Sequence, residues 1–201
     1  MAKDLSTDLR IVPVSPAQLA DLDELFAHGD PRTCQCTYLR LTHRDYASTG
    51  PAERRSEHRK AIRRAHRQGR AAGLIAYDEA GPVGWVSFSP REEYARLVVS
   101  RVLQPVDEAD VTSVVCFVIA PRARRQGVAA ALLNAVIDYA ASHGVALLEA
   151  YPVDHGAERA SSAALWRGPR RLFEAAGFTV VDTRQANSVA RPQLIMRRTV
   201  P

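Results

Sequence analysis

Residues 116–133 read CFVIAPRARRQGVAAALL, and this stretch decides the fold of the chain. An apolar run rich in β-branched residues ends at Pro121, a basic turn follows, and an apolar helical pattern begins after Gly127. A strand that enters a helix through such a turn brings free backbone N–H groups and the positive end of the helix dipole to one point. The sequence therefore predicts an anion site here, suited to a phosphate.

The turn differs in spacing from two common phosphate loops. Its pattern, Arg124-x-x-Gly127-x-Ala129, is tighter than a Walker loop and lacks the Gly-x-Gly-x-x-Gly of a dinucleotide site. Arg122 and Arg125 add positive charge beside Arg124. These side chains favour a phosphate-bearing ligand, although a solvated turn would also carry them.

The segments on either side of the turn predict a strand–helix–strand unit. The first strand spans 111–120, and the helix runs to about His143, where Gly144 ends it. A second strand follows at 145–151. Two strands joined through a helix are expected to be parallel neighbours with a right-handed crossover. Six apolar residues share one face of the helix: Val128, Leu132, Leu133, Val136, Ile137 and Ala140.

The rest of the chain alternates strand and helix patterns, which indicates the α/β class. Ser15-Pro16 is a strong helix start, and Asp78-Glu-Ala-Gly81 is a hairpin turn. The stretches 90–110 and 152–162 are expected to be irregular. The remaining predicted elements are strands at 9–14, 73–77, 83–88, 178–181 and 193–197, and helices at 16–28, 52–68 and 168–176.

Composition indicates one globular domain over residues 1–201, with 46% apolar and 24% charged residues among the 201. The longest apolar run is far short of the roughly 18 residues that span a bilayer, so no membrane segment is expected. No apolar signal segment is evident in the first residues. Three cysteines do not suggest a disulfide framework, so we expect a reducing cytoplasm.

A run of basic residues lies between Arg54 and Arg70, opposed there by Glu57 alone. Such runs are usually solvated helix faces, and we favour that interpretation. The alternative is a patch for an acidic substrate, a cofactor phosphate or nucleic acid. No aromatic residue is interleaved with the charges, which argues against a platform for stacked bases.

The pair Cys34-Gln-Cys36 is considered as a metal site and set aside. Zinc usually takes four ligands, and no second close Cys/His pair accompanies this one. Cys116 is expected to pack in a core strand as a small apolar residue. We predict no metal.

The order of elements and the turn at Arg124 together resemble the GNAT superfamily of acyl-CoA-dependent N-acetyltransferases. The likeness in element order covers nearly the whole chain, and its specific part is residues 113–133. A weaker match, LFEAAGF at 172–178, is similar to the family's short helix and the strand after it. The chain is also similar to a subgroup that carries Gly84-Trp-Val and Glu149-x-Tyr-Pro, for which we know no substrate. The resemblance implies a mixed sheet of six to seven strands whose central parallel strands splay apart.

The resemblance also implies a seat for acetyl-CoA as acetyl donor. Its pantetheine arm would pair with backbone near 117–119, and an N–H near Val118 would face the thioester oxygen as an oxyanion site. Gly127 would allow close approach of its pyrophosphate to the turn. The expected contacts are Phe117, Val118, Ile119, Arg124, Arg125, Gln126, Gly127, Val128 and Ala129.

The acid and base of the reaction are less evident. Family members often place a Tyr acid four residues before the Gly of the last helix, and this chain has Phe173 there. Glu149 as base and Tyr151 as acid are the substitutes, because residues two apart share a strand face roughly 7 Å from each other. The alternative is a structural ion pair for Glu149 and a packed Tyr151. Asp154 and His155 are secondary candidates.

The resulting prediction is an N-acetyltransferase that passes the acetyl group directly to a primary amine of a small molecule or peptide. The alternative is a weak or inactive domain that binds CoA as a sensor or interaction module. A third interpretation directs the activity at nucleic acid through the basic helix, which we disfavour. The sequence does not decide whether the chain forms a homodimer. Residues that could line the acceptor pocket are Cys34, Cys36, Trp85, Tyr94 and Trp166.

Overall fold

Seven strands form one sheet in the part of the chain that the computed structural model describes, residues 9–27, 29–156, 158 and 165–201. Their spatial order is β1-β2-β3-β4-β5-β7-β6. The strands are β1 Arg10–Pro13, β2 Gly73–Asp78, β3 Gly81–Pro90, β4 Thr112–Ile119, β5 Leu147–Ala150, β6 Thr179–Arg184 and β7 Gln193–Thr199.

Helices flank the sheet on both faces. The longest are α4, which carries the basic run, and α6, which follows the Arg-rich turn. The helices are α1 Leu19–Leu25, α2 Pro31–Cys34, α3 His43–Ser48, α4 Pro51–Arg67, α5 Ala95–Val99, α6 Val128–Ser142 and α7 Arg170–Ala175.

The pairing between β4 and β5 positions the site. All other neighbours in the sheet are antiparallel, and this central pair is parallel. The pairing covers three residues of each strand and ends at Val114 and Ala150, although β4 continues to Ile119. A bulge at Val115, opposite the Ser87–Phe88 step of β3, bends β4 at this point. The strands therefore splay, and one edge of β4 is left open from residue 115 onward.

A buried apolar cluster lies on each face of the sheet. One contains the inward face of α6 together with Phe173 and Phe178. The six α6 residues predicted to share a face are all buried. The other cluster contains Phe26, Ile62 and Trp85, and it is covered by α1 and α4. Both faces of the sheet are thus sealed around the open edge of β4.

Local sequence explains where the helices begin. Ser15 caps the first helical turn, and its side chain and backbone exchange hydrogen bonds with Ala17 and Gln18, as the Ser-Pro start predicts. In α4, Pro51 occupies the first position, and the Glu53 carboxylate accepts from the backbone N–H of Gly50.

Most predicted elements are confirmed, with ends that differ by a few residues. Short helices α2, α3 and α5 are not predicted, because a few residues give no measurable period. The last of these lies within 90–110, which was expected to be irregular. The expectation for the N-terminal signal, at 1–8, and part of the predicted irregular stretch, at 157 and 159–162, lie outside the described residues.

Candidate active site

A large cavity of about 2160 Å³ follows the open edge of β4. Its walls come from the turn before α6, from α2 and the residues after it, and from the segments on both sides of the undescribed stretch near α7. The cavity therefore joins the Arg-rich turn on one side to the α2 region on the other. Such a passage can hold one ligand at the turn and a second ligand beyond the splay.

The backbone of β4 presents alternating groups to the cavity. Ala120 donates its N–H to the carbonyl of Val83 in β3, at 2.9 Å. Along a strand the backbone groups of every second residue point to the same side, so those of Val118 also point to β3. The N–H of Phe117 points to the open edge, where it donates to the carbonyl of Trp166 at 2.7 Å. The oxyanion donor that was expected near Val118 is therefore not the N–H of Val118 itself. The backbone N–H and C=O groups at the open edge belong to Phe117 and Ile119.

The turn before α6 contains two residues with left-handed backbone. Arg125 has φ 62° and Gly127 has φ 79°. The latter leads directly into the helix, whose first turn closes with the bond from the N–H of Ala131 to the carbonyl of Gly127. The N–H groups of residues 128–130 precede that bond and face outward from the helix end. This geometry is a suitable anion site.

Arginines supply the positive charge around this helix end. Arg122 pairs with the carboxylate of Asp78, and Arg124 donates from Nε to the carbonyl of Ile119 at 3.2 Å. Arg125 and Arg171 are exposed and line the cavity. The side chain of Gln126 donates to the carbonyl of Arg122 at 2.6 Å, which holds the turn. The cavity is therefore cationic at the turn.

Glu149 and Tyr151 lie side by side, as their spacing predicts, and both are fully buried. The Tyr151 hydroxyl donates to Glu149 Oε1 at 2.5 Å and contacts Ser113 Oγ at 2.8 Å. Burial, then the Glu149 carboxylate, raises the pKa of Tyr151 well above its usual value. The pair lies at the foot of the splay, where β4 and β5 still pair, and neither residue is among those that line the cavity.

Two arginines approach Glu149 from neighbouring elements. Arg197 in β7 donates from Nε to Oε2 at 2.6 Å, and Arg91 lies 3.6 Å from Oε1. Arg197 also pairs with Asp107 through both Nη atoms, at 2.6 and 2.8 Å. A buried polar chain thus runs from Tyr151 through Glu149 and Arg197 to the surface at Asp107. This chain contains both the predicted acid and base, Tyr151 and Glu149, and the structural ion pair of Glu149 that was the alternative to their catalytic role.

The secondary candidates do reach the cavity. Asp154 pairs with Arg170 at 3.1 Å, and its pKa is lowered, first by the N–H of Gly156. His155 also lines the cavity, and its Nε2 is buried with no hydrogen-bond partner among the described residues. The imidazole of His155 therefore faces the ligand space.

Phe173, at the position where a Tyr acid was sought, lies in the core. It is fully buried and packs edge-on against Phe117 and Phe178, with ring centroids 6.1 and 5.4 Å apart. An apolar ring suits this environment, since a phenol hydroxyl buried there would need a partner.

Aromatic residues line the α2 side of the cavity, but they differ in part from those predicted. Trp166 is at the wall, whereas Trp85 and Tyr94 are buried in the core. Tyr38 and Tyr46 were missed: Tyr38 contacts Trp166 and Tyr46 edge-on, at 5.5 and 5.2 Å between centroids. Only the fold brings these three together, because no pattern in the sequence links them.

All three cysteines lie at the same wall. Cys116 packs in the core strand as expected, but its Sγ also contacts Cys36 Sγ at 2.8 Å. Among the described residues, no group of three or more His, Cys, Asp or Glu side chains is arranged to hold a metal ion. No helix in the described ranges is long and apolar enough to cross a membrane.

Comparison with known families matches residues 37–178 to the model of the acetyltransferase (GNAT) family. The chain belongs to this family. The match contains the open edge of β4, the Arg-rich turn and α6, so the resemblance drawn from residues 113–133 is confirmed. A GNAT chain of this kind is an acetyltransferase by family membership. No match was found among curated proteins.

Solved structures share the GNAT fold at low sequence identity. Ribosomal-protein-S18-alanine N-acetyltransferase from Escherichia coli is 16% identical, with a TM-score of 0.52 over 96% of this chain and 94% of that one. A GNAT acetyltransferase from Streptococcus pneumoniae is 15% identical, with a TM-score of 0.57 over 96% of this chain and 100% of that one. The Salmonella typhimurium protein yncA, solved with its cofactor acetyl-CoA, is 17% identical, with a TM-score of 0.55 over 96% of this chain and 94% of that one. At these identities the likeness concerns the fold.

Proposed function

We propose that this GNAT chain transfers the acetyl group of acetyl-CoA directly to a primary amine of a small molecule or peptide. The observation that carries the proposal is that one continuous cavity joins the α6 N-terminus to the open edge of β4. A long donor with a phosphate end and an amide-bearing arm matches both features. We propose that residues 1–201 act as one domain, and the single sheet supports this.

The described residues fit acetyl-CoA as donor. The N–H groups at residues 128–130 and the cationic side chain of Arg125 suit a pyrophosphate, and Gly127 leaves room for its approach. The backbone groups of Phe117 and Ile119 suit the amides of the pantetheine arm. Bound there, acetyl-CoA supplies an activated thioester.

The N–H of Phe117 is the donor that we propose for the oxyanion. It points to the open edge of β4, where a carbonyl oxygen already accepts from it in this structure, that of Trp166. A fixed backbone donor stabilises negative charge on oxygen without reorganisation of the protein. For the acyl oxygen to take that position, the segment around Trp166 must withdraw.

Proton transfer is proposed for Glu149 and Tyr151, with His155 as the second candidate. An amine attacks only as the neutral base, so the site must accept its proton. The buried chain from Tyr151 to Asp107 supplies connected donors and acceptors, and a water molecule would have to link it to the cavity. His155 needs no such link, because it lines the cavity.

The basic helix α4 gives little support to a nucleic-acid substrate. Arg59 pairs with Asp23, Lys60 pairs with Glu57 at 2.7 Å, and Arg64 pairs with Glu93 at 3.1 Å. The residues of α4 do not line the cavity. We therefore keep a small molecule or peptide as the proposed acceptor, and we propose a cytoplasmic location, in which acetyl-CoA is available and thiols stay reduced.

An amine panel assayed with acetyl-CoA, with released thiol as the readout, tests the proposal. We expect turnover on at least one class among amino acids, peptide N-termini, lysine peptides and polyamines, together with saturable CoA binding by calorimetry. CoA binding without turnover on any class would favour the sensor alternative, which the apolar Phe173 supports. Absence of CoA binding would overturn both.

A further inference from the structure

Cys36 and Cys116 form a buried thiol pair. They are 80 residues apart in the chain, their Sγ atoms are 2.8 Å apart, and each residue is 4% exposed. Both are free cysteines. Two thiols this close need only small side-chain adjustments to reach the roughly 2.05 Å of a disulfide bond.

The backbone at Cys36 is held in an uncommon conformation that produces this contact. Gln35 has φ 49° and Cys36 has φ 51°, so two consecutive residues other than glycine are left-handed. Hydrogen bonds fix the turn: Gln35 N–H donates to the carbonyl of Pro31, and Thr37 donates to the carbonyl of Cys34 from both N–H and hydroxyl. Such strain persists where the surrounding structure imposes it, and here it aims Cys36 at β4.

The pair also has access to small reagents. Both cysteines line the cavity, and Cys116 directly precedes Phe117, the residue with its N–H at the open edge. The neighbouring sulfur of Cys36, then burial, raises the pKa of Cys116, so this thiol is protonated and uncharged at neutral pH. The reduced pair can therefore stay in contact without charge repulsion.

We propose that Cys36 and Cys116 are a redox modification site, in which a peroxide converts the pair to a disulfide across the acceptor side of the cavity. One cysteine loses its proton and attacks hydrogen peroxide as the thiolate, which breaks the O–O bond; with that proton taken up by the leaving hydroxide, the products are a sulfenic acid and water. The second thiol then displaces the sulfenic oxygen as a second water, which forms the S–S bond. Two thiols are oxidised by two electrons and one peroxide is reduced.

The third cysteine is a matched control. Cys34 lies at the same wall, and burial raises the pKa of its thiol to about 12. A bond between Cys34 and Cys36 would close a ring within one strained turn, whereas Cys36–Cys116 joins the turn after α2 to β4. Restraint of that turn against β4 should impair access of the acceptor. This consequence rests on the proposed function, but the redox chemistry does not.

Oxidation of the folded full-length chain with hydrogen peroxide tests the site. We expect intact mass to fall by two hydrogens, peptide mapping to give one Cys36–Cys116 link, and dithiothreitol to reverse both. Cys34→Ser should still form the link, whereas Cys36→Ser and Cys116→Ala should not. Native circular dichroism of each variant establishes that it is folded, and Cys36→Ser serves where Cys116→Ala does not fold.

A folded chain that keeps three titratable thiols, or that links Cys34 instead, would overturn the proposal. With an active acceptor in hand, we expect oxidation to raise KM for that acceptor several-fold without a change in CoA affinity. Equal kinetics in both redox states would remove the regulatory consequence. Failure to find an acceptor bears on the proposed function and leaves the mass measurement intact.

Discussion

The backbone N–H of Phe117 and the carbonyl oxygen of Trp166 are joined by a 2.7 Å hydrogen bond across the open edge of β4. The segment that precedes α7 thereby occupies the donor that we assign to the acyl oxygen. Donor binding and this internal bond compete for one N–H group. Any change that weakens the turn at 165–168 should shift the balance toward the ligand.

The first prediction concerns Gly168→Ala. Gly168 has φ 83°, and a Cβ there would lie 2.8 Å from Cε2 of Phe173 and 3.3 Å from Cε2 of Phe117 in β4, so the turn must shift away from both rings. We expect acetyl-CoA to bind several-fold more tightly by calorimetry, while the free energy of unfolding falls. Gly69→Ala is the control, because Gly69 has φ 72° with open space around it. Weaker binding in Gly168→Ala alone would contradict the competition.

The second prediction concerns the helix entry. Gly127→Ala introduces a side chain at φ 79°, which costs about 1–2 kcal/mol and misaligns the N–H groups at the start of α6. We expect KM for acetyl-CoA to rise about tenfold, equivalent to about 1.4 kcal/mol. Gly144→Ala, at φ 69° beyond the other end of α6, should lose similar stability and keep KM. Equal KM in both variants would remove the turn from the donor site.

The third prediction separates catalysis from structure at Glu149 and Tyr151. Glu149→Gln removes the charge that pairs with Arg197, and breaking a buried pair costs about 3–5 kcal/mol. Glu93→Gln is the matched control, since Glu93 is a little-exposed carboxylate paired with Arg40, Arg64 and Arg70 away from the cavity.

If Glu149 moves the proton, kcat per folded molecule should fall in Glu149→Gln and in Tyr151→Phe, with loss of one limb of the pH profile, and stay near wild type in Glu93→Gln. Unchanged kcat in both Glu149→Gln and Tyr151→Phe would mean that Glu149 and Tyr151 have a structural role only. A fall confined to His155→Gln would transfer the role of base to that imidazole.

The fourth prediction is a pH dependence of stability from His58. Burial, then Arg40 and Arg59, lowers the pKa of this histidine from 6.5 to about 3. Below pH 6.5 His58 binds a proton in the unfolded chain but not in the folded chain. The contribution of neutral His58 to the free energy of unfolding is therefore fully present above pH 6.5 and is lost as pH falls toward 3. His58→Phe should flatten the curve of unfolding free energy against pH in this window by up to about 1.4 kcal/mol per unit.

His66, exposed on the same helix, provides the comparison for this measurement. His66→Gln should keep the wild-type slope in urea unfolding at several pH values. An unchanged slope in His58→Phe would mean that His58 is not held neutral in the folded state.

Local chemistry allowed much of the fold to be predicted. A run of β-branched residues up to Pro121, the glycine of the turn and six apolar residues on one helical face predict β4, the turn and α6. Each depends on neighbours in sequence, and the structure agrees. The spacing of Glu149 and Tyr151 likewise put them on one face of a strand, because side chains alternate along it.

By itself, therefore, the sequence determined the longer helices and most of the strands, the Arg-rich turn and the family resemblance. Tertiary structure alone decided which groups meet: Phe117 with Trp166, Glu149 with Arg197, and Cys36 with Cys116. It also decided that the β4–β5 pairing ends at Val114, which opens the cavity. The reason is physical. Propensity and periodicity act over a few residues, whereas these contacts join segments about 48 to 80 residues apart, brought together only when both faces of the sheet bury their apolar side chains.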